Sequence, residues 1–275
     1  MRPRGRGSAP VAALRAAALL LVAIFAAGCP SNPQPDPRDL VPTPTPIPAI
    51  RIGMVEDAPP FSFRQGERPA GIDVDLATYL GQDLGRPLRV FTMPYDELVP
   101  ALLDKRVDII MSGLSISRLR ELQVDFGDPV LRSGVGVLIR RSDASRWKSP
   151  SQVVKEAQRI GVTKNTTAER YVRENAPDSQ VFSYVSNTNA IAELEQRRVD
   201  AFVADGPTVA WYAASHEGSM MPMLRPLLTQ DQIAWGFRPS SRRLRERVNE
   251  SIARWRADGT LNGVLRRWVP AWEPR

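Results

Sequence analysis

Residues 107–130 read VDIIMSGLSISRLRELQVDFGDPV, and this stretch decides the fold because it passes from a strand into a helix. The apolar run at its start predicts a short buried strand, after which Ser112 and Gly113 allow the backbone to turn. Ser117 is placed to cap a helix whose first N–H groups would lack intrahelical partners and attract an anion. The third position of this helix holds Arg120, a cation where the helix dipole favours an acid.

Arg120 therefore needs a negative partner, and two interpretations are open. In the first, it pairs with Glu121 or another surface acid, and spacing alone favours this interpretation. In the second, Arg120, the Ser115 hydroxyl and the N–H groups at Ser117 converge on a ligand carboxylate. A guanidinium matches a carboxylate with two parallel hydrogen bonds.

The same stretch resembles a signature of the polar amino-acid solute-binding proteins of ABC importers. That signature is roughly S-x-x-S-I-T-x-x-R followed by an F-S-x-P-Y-like stretch, and here it reads SGLSISRLR and then DFGDPV. Ser117 replaces a threonine but keeps the hydroxyl, while Gly127 and Val130 depart from the pattern. The resemblance continues through GIDVDLA (71–77), PYDELVPALLDKRVD (94–108), GVTKNTTAERY (161–171), VDAFVAD (199–205) and DGTLNGVLRRWV (258–269). It thus covers nearly everything after residue 50.

The resemblance, to family 3 of the bacterial extracellular solute-binding proteins, implies an α/β protein with the two-lobed type II periplasmic-binding fold. The alternation of strand-like and helix-like segments agrees with mainly parallel sheets flanked by helices. We predict one discontinuous lobe from residues 50–131 plus 233–275, and a second lobe from residues 136–228. The two crossings between them would form a hinge around a cleft. The return of the chain to the first lobe rests on the resemblance alone.

Local start signals predict where individual helices begin. Asp73 can cap one helix, Ser149 with Pro150 and Gln152 can begin another, and Thr166-x-x-Glu169 reads as a capping box. The segment 132–141 reads as one long glycine-bearing strand, and 241–257 as an amphipathic helix.

The resemblance also implies a role for each of several residues. Arg120 and Ser115 would hold the α-carboxylate of an amino acid, with Thr167 and Thr166 reaching it from the second lobe. Asp205 would hold the α-ammonium group, and Tyr95 would pack along the ligand side chain. The candidate ligand-binding residues are Arg120, Ser115, Ser117, Gly113, Tyr95, Thr166, Thr167 and Asp205. From the residues alone, capping the helix at 208–213 is the simpler role for Asp205.

Two departures from the family pattern bear on specificity. A second aromatic residue expected near Ala58 is missing, so a two-ring sandwich around the ligand is not supported. Binders of basic amino acids have an acid at the position of Val55, and its absence argues against a simple lysine or arginine receptor. Glu56 or Asp57 could replace that acid if the loop shifts.

The amino terminus has the pattern of an export signal. Four arginines precede an apolar run from Ala16 to Ala27, which is shorter than the ~20 residues that a membrane span needs. Cys29, the only cysteine, follows directly and resembles a lipoprotein processing site, so we predict that residues 1–29 are a signal peptide ending at a lipidated Cys29. An ordinary signal peptide with a chance cysteine is the alternative. Residues 30–49 are proline-rich and predict an extended tether.

Charge and composition exclude several other functions. Removing the four leader arginines from 37 basic residues leaves 33 against 30 acidic ones, so the net charge gives no support for a nucleic-acid partner. The single histidine, His216, rules out a site built on several histidines, and no cysteine is left for a metal site. We therefore predict no catalytic residues, no metal and no cofactor.

The sequence predicts an extracytoplasmic monomer that is anchored to the membrane by its lipid. It would capture an amino acid or similar small zwitterion and deliver it to the permease subunits of an ABC importer. A sensory receptor acting in trans is one alternative. A cyclohexadienyl-dehydratase-like enzyme is another, although the resemblance places a catalytic glutamate shortly after Asp205, where this chain has Gly206, Pro207 and Thr208.

Overall fold

The computed structural model describes residues 47–270, so the predicted signal peptide, Cys29 and most of the proline-rich tether lie outside the described residues. The described chain begins with β1 (Ile50–Met54), β2 (Phe63–Gln65), β3 (Arg68–Ala70), α1 (Ile72–Leu84), β4 (Leu88–Thr92), α2 (Leu98–Leu103), β5 (Ile109–Ile110), α3 (Arg118–Glu121), β6 (Asp125–Phe126) and β7 (Leu131–Ser133). It continues with β8 (Val135–Arg140), α4 (Pro150–Glu156), β9 (Arg159–Thr163), α5 (Thr167–Asn175), β10 (Gln180–Tyr184), α6 (Asn187–Glu195), β11 (Ala201–Asp205), α7 (Gly206–Ser215) and β12 (Met220–Met223). It closes with β13 (Asp231–Ile233), β14 (Gly236–Phe237), α8 (Arg242–Asp258) and α9 (Thr260–Trp268).

Two five-stranded sheets organise the molecule. The first has the order β4-β1-β5-β14-β6 and the second the order β10-β9-β11-β8-β12. In each sheet one strand is antiparallel to the other four: β14 in the first sheet and β8 in the second. The sheets are therefore mainly parallel, as predicted. Because β14 comes from the carboxyl-terminal part of the chain, the first sheet is built from two separate segments.

Hydrophobic side chains cover both faces of each sheet. In the first sheet, one face packs against α1, α8 and α9, and the other against α2. In the second sheet, one face packs against α4 and α5, and the other against α6 and α7. The apolar periodicity of these helices is thus satisfied by burial, and each sheet has a hydrophobic core of its own. No helix in the stretch from 47 to 270 combines the length and apolarity that a bilayer crossing requires.

The two sheets repeat one local arrangement. Asp108 accepts a hydrogen bond from the Arg51 backbone N–H at 3.0 Å, and Asp200 accepts one from Arg159 at the same distance. Two arginines take equivalent places: Arg140, buried in β8, and Arg238, half-buried directly after β14, each donate to two backbone carbonyls that precede the aspartate in the chain. The motifs KRVD (105–108) and RRVD (197–200) therefore make equivalent hydrogen bonds in the two sheets.

The chain passes between the sheets at β7 and β13, which pair antiparallel with Ile233 opposite Leu131. The predicted long strand 132–141 is wrong because it breaks into β7 and β8 at Gly134. At Gly134 an added Cβ would lie 2.0 Å from the Thr229 carbonyl oxygen, so only glycine lets the crossing segments approach this closely.

The helix starts agree with the sequence in part. Ser149 caps α4 and Thr166 caps α5, each accepting from the N–H three residues on, as predicted. The prediction that Asp73 caps α1 is wrong: Gly71 occupies the cap position, and the Asp73 side chain points into the core, where it is fully buried. Ser117 does occupy the N-cap of α3, but its side chain makes no capping hydrogen bond and α3 is a single turn.

Candidate functional site

The ends of the strands of both sheets meet at a cleft that holds most of the predicted site residues. A cavity of about 40 Å³ lies between them, with walls from both sheets' loops. It is lined by Val55, Asp57, Ala58, Phe61, Tyr95, Ser112 and Gly113 on one side, and by Thr163, Thr166, Ala168, Val185, Ser186, Asn187, Ala204, Asp205 and Thr208 on the other. A molecule inside would be enclosed by both lobes.

Arg120 lies beside this cavity and makes three hydrogen bonds. Its Nη1 donates to the Ser115 carbonyl at 2.8 Å, and its Nη2 donates to the Tyr95 hydroxyl at 2.9 Å. The same Nη2 crosses the cleft to the Asn165 carbonyl at 3.0 Å. The guanidinium carbon also lies 5.5 Å from the centre of the Tyr95 ring. The simpler interpretation of the sequence, an ion pair between Arg120 and Glu121, is therefore wrong: the guanidinium bonds to Ser115, Tyr95 and Asn165 instead.

The loop carrying Ser115 is held against the second crossing. Ile116 donates from its backbone to the Gln232 carbonyl at 2.8 Å, and Ala234 donates to the Leu114 carbonyl at 3.0 Å. These bonds bury Ser115 and set its hydroxyl toward the other lobe, 3.4 Å from Asp205 Oδ1. The fixed loop therefore presents Ser115 and Arg120 to the cleft together.

Asp205 ends β11 and occupies the N-cap position of α7, but its side chain makes no capping hydrogen bond. The capping role that the residues alone favoured is therefore wrong. Loss of hydration between the lobes, together with the nearby Asp231, raises the pKa of the Asp205 carboxyl to about 7. Arg120 and Ser115 oppose that rise. A cation placed here would be held by a carboxylate that lacks a full counterion.

The two neighbouring threonines at the start of α5 have different surroundings. Thr166 Oγ1 accepts from the Glu169 N–H at 3.1 Å and donates to the Thr163 carbonyl at 2.7 Å. Thr167 Oγ1 is buried and has no hydrogen-bond partner among the described residues. Because an unpaired buried hydroxyl costs free energy, the Thr167 hydroxyl would be stabilised by a polar partner.

Further contacts across the cleft were not predicted. The Thr188 hydroxyl donates to Asp57 Oδ1 at 2.8 Å, and Lys164 Nζ lies 3.4 Å from Asp96 Oδ2. The Asn165 carbonyl, which meets Arg120, comes from a residue with φ of 62°. The Lys164-Asn165 turn could be recognised in the sequence, but the direction of its carbonyl could not.

The predicted site residues divide into three groups. Gly113, Tyr95, Thr166 and Asp205 line the cavity. Arg120 and Ser115 lie next to it and are bonded to its wall. Ser117 and Thr167 are not among its lining residues: Ser117 contacts α3 through its carbonyl, and the Thr167 hydroxyl is buried at the start of α5. Asp57 lines the cavity as well, together with Val55.

Comparison with known proteins gives a consistent family. The model of the bacterial extracellular solute-binding proteins, family 3, matches residues 50–271. ABC transporter arginine-binding protein 1 of Escherichia coli K12 is 27% identical over 225 residues, which is 80% of this chain and 90% of that protein. The histidine-binding periplasmic protein of Salmonella typhimurium LT2 is 28% identical, covering 80% and 86%.

A solved structure of an ancestral amino acid-binding protein, AncCDT-1, described as a precursor of cyclohexadienyl dehydratase, is similar over most of its length. Its sequence is 29% identical, the TM-score is 0.74, and the match covers 80% of this chain and 95% of that one.

Proposed function

Because the chain belongs to the bacterial extracellular solute-binding proteins, family 3, we propose that it captures an amino acid or similar small zwitterion and delivers it to an ABC importer. Its fold is the two-lobed type II periplasmic-binding fold expected from the sequence. The zwitterion would lie in the cleft between the lobes, where charged groups of both signs meet.

The observation that carries this proposal is the position of Ser115 between two opposite charges. Its carbonyl accepts from Arg120, while its hydroxyl faces Asp205 on the other wall. An α-carboxylate near Arg120 and an α-ammonium near Asp205 would satisfy both charges at once, and exclusion of water would strengthen each bond. The unpaired Thr167 hydroxyl supplies a further donor for the carboxylate.

A thermal-shift screen of the wild-type protein against amino acids and opines tests the proposal. We expect at least one zwitterion to raise the unfolding temperature, because binding only the folded state stabilises it. No shift with any of them would contradict the proposal.

We propose further that the chain is a binding protein and not a dehydratase. The likeness to AncCDT-1 makes the enzyme a candidate worth testing. However, Gly206, Pro207 and Thr208 occupy the positions where the resemblance places a catalytic glutamate, and Gly206 is the first residue of α7. Cyclohexadienyl dehydratase turnover, together with no amino-acid stabilisation, would favour the enzyme.

Export and anchoring are also proposed. The apolar run that ends at Cys29 and the proline-rich residues 30–49 support a lipid anchor followed by a tether. We expect Cys29→Ser to release the protein from the membrane fraction of expressing cells. A variant that stays fully membrane-bound would rule out Cys29 as the anchor.

A further inference from the structure

Asp73 is a fully buried acid that has no part in the proposed ligand contacts. It is the second residue of α1 and has an exposed fraction of 0%. Burial raises the pKa of its carboxyl to about 6, while hydrogen bonds from Trp235 and Gly113 oppose that rise. A buried acid is costly to keep, so its contacts indicate what it does.

Three separate segments are attached to this one residue. The Asp73 backbone N–H donates to the Phe61 carbonyl at 2.8 Å. Its Oδ2 accepts from the Gly113 backbone N–H at 2.9 Å, and its Oδ1 accepts from Trp235 Nε1 at 2.8 Å. The backbone and both carboxylate oxygens of Asp73 are thus each engaged with a different part of the chain.

Two of the three segments line the cavity, and the third adjoins the second crossing between the sheets. Phe61 and Gly113 line the cavity, and they touch closely: a Cβ added at Gly113, where φ is 62°, would lie 2.5 Å from the Phe61 ring. Trp235 is fully buried between β13, which belongs to the second crossing, and β14 of the first sheet. A shift of Asp73 would therefore move two residues of the same cavity wall, Phe61 and Gly113, together with Trp235.

We propose that Asp73 is a positioning residue of the ligand site, which holds Gly113 against Phe61 in the cavity wall while Trp235 orients its carboxylate. The inference rests on the proposed function, because it assigns Asp73 an effect on amino-acid affinity. An ionised carboxylate accepts from both N–H donors, whereas the amide of asparagine has a single acceptor oxygen. In Asp73→Asn, either Gly113 or Trp235 would face a second donor.

This geometry provides a rescue experiment. Asp73→Asn is expected to weaken binding about tenfold or more, because one buried N–H loses its acceptor. Trp235→Phe removes the indole donor but leaves the Gly113 bond, and should change affinity by at most about threefold. In the double variant the amide oxygen can face Gly113 while its NH₂ group points toward the phenylalanine. The double variant should therefore recover to within about threefold of Trp235→Phe.

Isothermal titration gives the affinities, using whichever of the twenty standard L-amino acids most stabilises the wild type in a thermal-shift assay. Leu80→Ala, a buried change on the same helix, is the control for general destabilisation, and circular dichroism checks that each variant is folded. A larger loss in Asp73→Asn than in Leu80→Ala, with recovery in the double variant, supports the inference.

Any other pattern of affinities overturns the inference. If Asp73→Asn bound the amino acid as tightly as the wild type, Asp73 would have no effect on affinity. If Asp73→Asn and Leu80→Ala lost affinity equally and the double variant did not recover, Asp73 would be a structural residue only. If no amino acid binds even the wild type, the proposed function fails first and this inference falls with it.

Discussion

Asp205 is the residue whose ionisation should be visible in the stability of the protein. Its folded-state pKa of about 7 lies above the ordinary aspartate value, so the folded state holds a proton that the unfolded chain releases. The contribution of Asp205 to stability should therefore fall as pH rises from about 4 to about 7, and stay level above that window.

The matched variant for this prediction is Asp205→Asn, which cannot ionise. Urea unfolding of both proteins across pH 4 to 8 should show the wild type losing stability relative to the variant by on the order of 1 to 2 kcal/mol, after allowing for partial exposure. Asp73 also titrates near pH 6, but it is present in both proteins and cancels in the difference. Parallel pH profiles would contradict the assignment.

At the residue scale, the identities of the charged groups could be predicted from the sequence, but their partners could not. Arg120 and Asp205 could be placed in the site through the family pattern, while spacing alone favoured a surface ion pair and a helix cap. Those simpler roles are wrong because the partners lie across the cleft: Ser115 meets Asp205, 90 positions away, and Arg120 meets the Asn165 carbonyl, 45 positions away. Contacts of that kind depend on tertiary structure that local patterns do not describe.

At the scale of one element, the start of α5 separates capping from ligand binding. Thr166 holds two hydrogen bonds within its own turn, whereas Thr167 is buried without a partner among the described residues. Thr166→Ala should lower stability by about 0.5 to 2 kcal/mol and change affinity little, as loss of a cap does. Thr167→Val should weaken ligand binding with little loss of stability.

Chemical unfolding and isothermal titration on the two single variants check this prediction, and each variant is the control for the other. If Thr166→Ala weakened binding more than Thr167→Val, the roles would be reversed. The capping box itself could be predicted from Thr166-x-x-Glu169, and its first bond is confirmed. For its second bond, Glu169 Oε2 accepts from the Asn165 N–H, one residue earlier than the N-cap N–H that the box predicts.

Element boundaries were least predictable where another segment approaches closely. The break at Gly134 follows from the Thr229 carbonyl, and the inward turn of Asp73 follows from the Gly113 and Trp235 donors. Both causes lie far away in the chain. By contrast, the N-caps of α4 and α5 were predicted well because capping signals are local.

At the scale of the whole molecule, the cleft contacts and the paired crossings predict lobe closure. Arg120 and Asn165, Thr188 and Asp57, and Lys164 and Asp96 all meet across the cleft, so separating the lobes would break several polar contacts at once. Small-angle scattering should show a smaller radius of gyration when a bound amino acid adds contacts to both lobes. Asp205→Asn at the same amino-acid concentration is the control and should compact less. An unchanged radius in the wild type at saturation would contradict closure.

The central claim is that Arg120 and Asp205 hold opposite ends of one zwitterion, and isothermal titration of Arg120→Lys and Asp205→Asn tests it most directly. Lysine keeps the charge but not the paired donors, and asparagine keeps the shape but not the charge. Each change should cost about 2 to 5 kcal/mol of binding free energy, as for one member of a desolvated charge pair. Arg118 is an exposed neighbour of Arg120, and Arg118→Lys is the control: it should bind the ligand like the wild type. Affinities within about twofold of wild type in both site variants would contradict the account.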